Sequence, residues 1–143
     1  MRKSFALAAL AALCVPTAPA FAQELKAERA QNVRYWWVEM VKFLPGKRER
    51  AGELVEQYFA PTDKEMGGQV IDIHMTTGEW DFITLFPMTG GPADISWLTS
   101  PDEVKFMNLL AKRVGSMEAA KKLTDEWDTL VAKRVVNVAH SHP

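Results

Sequence analysis

The chain has 143 residues, with 17 Lys+Arg against 18 Asp+Glu, three His, one Cys, 48% apolar residues and 24% charged ones. That balance is ordinary for a folded domain and excludes a disordered tail, a collagen-like repeat and a disulfide scaffold. A formal charge of −1 argues against a dedicated nucleic-acid binder, which would need a basic surplus to displace counterions.

Residues 1–22 read as a secretory signal peptide. Arg2 and Lys3 form a charged start, Phe5–Val15 is an apolar run too short to span a bilayer, and Pro16 and Pro19 break it. Ala20-Phe21-Ala22 then places small residues at the −3 and −1 positions of a cleavage point before Gln23. Lipid attachment at Cys14 would need a small residue before it, and Leu13 stands there. Soluble export to the periplasm or beyond the cell is therefore expected. Cleavage removes Arg2 and Lys3 from the 17 basic residues, leaving 15 against 18 acidic ones, and removes the single Cys. Disulfides, thiolate catalysis and zinc–thiolate or iron–sulfur sites are excluded from the mature chain. No later stretch is apolar and long enough for a membrane span, so no membrane association is expected after cleavage.

Gln23–Asn32 is polar, rich in Ala and Glu, and reads as a frayed helical lead-in to a single domain over residues 33–143. Val33–Leu44 is β-branched and aromatic, the pattern of a strand. Tyr35, Trp37, Glu39, Val41 and Phe43 alternate with Trp36, Val38, Met40 and Lys42, so both faces are largely apolar. Pro45-Gly46 ends the strand. From Lys47 the period becomes 3.6, with Ala51, Leu54, Val55, Tyr58 and Phe59 on one face of a helix that stops near Pro61 or runs on to Gly67-Gly68.

Gln69–Thr76 and Trp80–Phe86 alternate again around Thr77-Gly78, predicting a hairpin. Pro87–Thr99, with Gly90-Gly91-Pro92, reads as a long loop in which Trp97 is placed to act as a lid. Ser100-Pro101-Asp102-Glu103 is a helix start with a capping serine. Gly115-Ser116 interrupts the stripe that follows. A further helix carries Ala120, Leu123, Trp127, Leu130 and Val131, with Lys133 and Arg134 at its C-terminal end, and Val135–Ala139 forms a last strand.

The expected class is α+β: a ferredoxin-like β-α-β-β-α-β unit with a four-stranded antiparallel sheet. Helices on one side of such a sheet leave its other face bare. Since the strands are apolar on both sides, a second copy packed sheet against sheet is the economical cover. Over residues 33–140 the chain resembles the dimeric α+β-barrel superfamily, nearest to its NIPSNAP-like and small monooxygenase-like domains. The resemblance rests on the element order, on Phe43-Leu44-Pro45-Gly46-Lys47 and on Trp80-Asp81. It implies a homodimer with a pocket for a small apolar ligand in the cleft between sheet and helices or within the barrel.

Asp72 and His74 lie two apart on a strand, share a face, and are the candidate catalytic pair, an imidazole oriented by a carboxylate as general base. An inert polar pair at a dimer seam is the competing reading. Candidate ligand-binding residues are Trp37, Glu39, Trp80, Phe82, Thr84 and Trp97. If Glu39 and Thr84 share a face, they form a polar spot inside an aromatic surround. Haem-degrading members of the superfamily use a histidine on the second helix and a tryptophan on the third strand. Ser100–Arg134 contains no histidine and the third strand ends Leu85-Phe86, so the resemblance argues against haem degradation, and no cofactor is expected. His140 and His142 could share one side of a strand, but so near the C-terminus they read as a solvated tail, and no metal site is assigned. The expected function is binding of a small apolar or aromatic molecule by an exported homodimer. A cofactor-independent oxygenase or isomerase using Asp72–His74 and a non-catalytic interaction module are the alternatives.

Overall fold

The computed structural model describes residues 26–67 and 69–142; the expected signal segment, residues 1–22, and Cys14 within it lie outside them. Four strands, β1 (Arg34–Phe43), β2 (Ile71–His74), β3 (Phe82–Met88) and β4 (Val131–Ser141), form one sheet in the order β2-β3-β1-β4. Every neighbouring pair is antiparallel. The helices are α1 (Arg48–Leu54), α2 (Ala60–Met66), α3 (Pro101–Val114) and α4 (Met117–Leu130). The protein is thus an α+β domain with a four-stranded antiparallel sheet, compatible with a ferredoxin-like fold.

The first helical run does not stop at Pro61. A π-turn over Val55–Phe59 joins α1 to α2, with the Ala60 amide donating to the Val55 carbonyl. Proline has no amide for the carbonyl one turn back, and widening the turn just before it accommodates that loss. Thr62, fully buried, adds a local bond by donating its hydroxyl to the Tyr58 carbonyl at 2.7 Å. Ser100 and Ser116 cap α3 and α4, accepting from the amides of Glu103 at 3.0 Å and Ala119 at 3.1 Å. Between the two helices Gly115 adopts φ +93°, a left-handed turn that costs glycine least.

Four sequence expectations change. Residues 26–33 carry no helix, because a short polar segment with no apolar stripe to bury cannot offset helix nucleation. Trp80 and Asp81 precede β3 rather than opening it. Part of the expected loop, Gly91–Ser96, winds into a 3-10 turn. Val131, Lys133 and Arg134 belong to β4, not to the end of α4.

The helices cover one face of the sheet. Val41, Phe43, Phe82 and Leu130 meet Ala51, Leu54 and Val55 in one buried cluster. Trp127 sits at its edge, with the rings of Phe43, Phe59 and Phe82 meeting it edge-on at 5.4, 5.7 and 6.2 Å. By strand alternation the other face carries Val38, Met40, Ile83, Leu85, Ile71 and Ile73. Ile71 and Ile73 there are 45% and 40% exposed, so among the described residues that apolar face is open.

Candidate functional site

The sheet register brings a polar row across the centre of the helix-covered face. Asp72 pairs with Thr84, Thr84 with Glu39, and Glu39 with Val136. One step along, Trp37 pairs with Phe86; one step the other way, Val41 pairs with Phe82 and Arg134. Glu39 and Thr84 therefore share a face, with aromatic residues on either side.

Above this row lies a cavity of about 730 Å³, with the sheet as its floor and helices and the 89–100 segment as its walls. Trp37, Phe59, Phe82, Phe86, Phe106 and Trp127 supply most of its apolar surface, and Trp97, 54% exposed, stands among its lining residues. A concave, mostly apolar space with a few convergent polar groups is the usual form of a small-molecule site.

Of the six expected ligand-binding residues, Trp37, Glu39, Phe82, Thr84 and Trp97 line the cavity. Trp80 does not. It stands at the hairpin end, where the Lys133 ammonium lies 4.8 Å from its ring centroid, because β3 begins two residues later than the aromatic pattern suggested. The expected catalytic pair stays neighbours on one face of β2, with no hydrogen bond between the two side chains among the described residues. Asp72 faces the cavity, accepting from the Thr84 hydroxyl at 3.1 Å. His74 packs its ring against Phe82 at 4.9 Å, beside a small separate hollow. The His140 and His142 rings approach to 5.2 Å, with Tyr35 at 5.9 Å from His140. Among the described residues no three His, Cys, Asp or Glu side chains converge as a metal site.

The electrostatics come largely from residues not singled out in the sequence. Arg134 donates to Glu39 at 2.8 Å and to Asp128 at 2.7 Å. Burial raises the Glu39 carboxyl above its ordinary range, and Arg134 opposes that rise. Burial also raises Asp72, against the Thr84 hydrogen bond and the nearby His74. Asp63 on α2 is pushed up to about 7, first by burial and then by the like charge of Asp72. The signal for Arg134 was a basic residue at an expected helix–strand boundary. For Asp63 it was an acidic residue shortly after Pro61, one of the two expected ends of the helix. Neither carries meaning until the elements are placed.

No protein-family model matches the sequence, and no curated protein matches it either.

Proposed function

We propose that the protein binds a small, largely apolar or aromatic molecule in the cavity between its sheet and helices. One observation carries this reading: a space of about 730 Å³ floored by β-strands and walled by aromatic side chains. An interior of ordinary packing density holds few voids larger than a water molecule, so a space this large suits a ligand. Asp72 is hydrogen-bonded to Thr84 and His74 packs on Phe82, contacts that give less support to an acid–histidine base than to a binding site. The apolar face of half-buried Val38, Met40, Ile83 and Leu85 beside exposed Ile71 and Ile73 supports assembly as a homodimer, sheet against sheet, as in the dimeric α+β barrels that the element order resembles. The amino-terminal pattern supports export to the periplasm or outside the cell.

The binding reading is tested with N-phenyl-1-naphthylamine, an uncharged aromatic probe. Saturable binding at one site per chain, weakened by the cavity-filling Val136→Trp, is expected. Non-saturable binding, or binding indifferent to the filled cavity, would overturn it. For assembly, sedimentation at micromolar concentration should give a dimer that Met40→Glu converts to a monomer. A wild-type monomer would end the dimer reading without touching the cavity.

A further inference from the structure

The charge of the cavity narrows the ligand class. Seven of its lining side chains are carboxylates, while Arg134 is its one basic residue. Arg134 is engaged by Glu39 and Asp128. Asp94 accepts from the Gly90 amide at 2.9 Å, and Asp102 and Glu103 occupy the first turn of α3, where the helix dipole favours them. Asp63 on α2 and Asp72 on β2 remain. Among the described residues neither has a Lys or Arg within ion-pair distance. The cations that α3 turns toward α2 are bound elsewhere. Arg113 donates to Thr62, to the Pro61 carbonyl and to Glu65, and Lys105 donates to the Met66 carbonyl.

Two carboxylates with no cation beside them, in a cavity walled by aromatic rings, form an incomplete electrostatic arrangement. Aromatic faces attract cations, and a half-buried carboxylate gains most from a positive charge brought into the same low-dielectric space. A metal ion fits poorly, because the carboxylates do not converge at ligand spacing and the remaining wall is aromatic. An organic cation fits both parts.

We infer that the ligand is an aromatic or arylalkyl amine, its ring system against the aromatic walls and its ammonium group between Asp63 and Asp72. The inference rests on the binding reading above and adds the charge of the ligand to it. Binding should release protons. Asp63, with Asp72 on β2, Glu39 on β1, Asp102 and Glu103 on α3 and the Asp128–Arg134 pair around the same space, and His74 beside Asp72, holds a proton near neutrality. An ammonium would displace it.

The test is calorimetric, with 2-(2-naphthyl)ethylamine and its uncharged counterpart 2-(2-naphthyl)ethanol as probes. At pH 8 the amine should bind at least tenfold more tightly than the alcohol. From pH 8 to pH 6 its affinity should fall about tenfold as Asp63 takes up its proton. At pH 7 buffers of different ionisation enthalpy should reveal about half a proton released per amine bound, and none for the alcohol. In Asp63→Asn and in Asp72→Asn the ratio of amine to alcohol affinity should collapse toward one. Equal affinities in the wild-type protein would overturn the amine inference while leaving the cavity as a binding site. An unchanged ratio in both variants would overturn the assignment to these two residues. Failure of both probes and of N-phenyl-1-naphthylamine would remove the binding reading itself, and this inference with it.

Discussion

Replacing Asp63 by Asn should stabilise the protein at alkaline pH, although it removes a native side chain. The carboxyl is pushed up to about 7 from its ordinary 3.8 by burial and by Asp72. Between those values the folded protein holds a proton that the unfolded chain has released, so stability declines as pH rises through that window. Above it the folded state carries a buried, unpaired carboxylate. At about 1.4 kcal/mol per pH unit, the full displacement would cost about 4 kcal/mol. Solvent reaching the open side of the cavity reduces the expected gain to about 2 kcal/mol. Asparagine has the shape of the protonated acid and carries no charge. Asp63→Asn should therefore gain about 2 kcal/mol, or about 8 °C in Tm, at pH 8. At pH 5, where the native carboxyl is already protonated, the gain should be less than half as large. Urea unfolding at the two pH values measures both differences. A variant no more stable than wild type at pH 8, or more weakened there than at pH 5, would show that the carboxylate is favourably placed and refute the reasoning.

The remaining predictions concern the supports of the cavity. Leu54→Ala, at a fully buried position in the core cluster, should cost about 3 kcal/mol in urea unfolding without shifting the cavity's acid–base behaviour. Thr62→Val should cost about 1–3 kcal/mol, since it removes the donor to Tyr58 and the acceptor of Arg113 in a buried setting. Arg134→Met leaves Glu39 without its counter-charge and should cost about 1–2 kcal/mol at pH 7. Because burial already raises the Glu39 carboxyl, that loss should shrink as the pH is lowered toward 4.5, its ordinary value. A loss equal at both pH values would mean that Arg134 acts through packing alone.

Elements whose signals are local were legible in the chain. The alternation of Val33–Leu44 located β1, and Ser100-Pro101 marked the start of α3. Gly115-Ser116 marked the break before α4, because a left-handed turn and a capping hydroxyl are properties of single residues. For the helix through Pro61 the chain left two ends open, Pro61 or Gly67-Gly68, and the π-turn that accommodates the proline, a choice of backbone pairing, decided for the second. Arg134 was misplaced because a basic residue suits a helix C-terminus as well as an edge strand. Packing of β4 beside β1 decided between them.

The residues alone determined which strand faces are apolar, and the element order that goes with helices on one face of a four-stranded sheet. Alternation and period depend only on backbone geometry, so they survive without knowledge of neighbours. Which side chains meet around the cavity was decided by tertiary structure. Asp72, Thr84 and Glu39 form a row only through the pairing of β2, β3 and β1, and Asp63 approaches it only because α2 helps to wall the cavity above the sheet. Electrostatic character of this kind depends on distance in space and on exclusion of water, and both come into being when the chain folds.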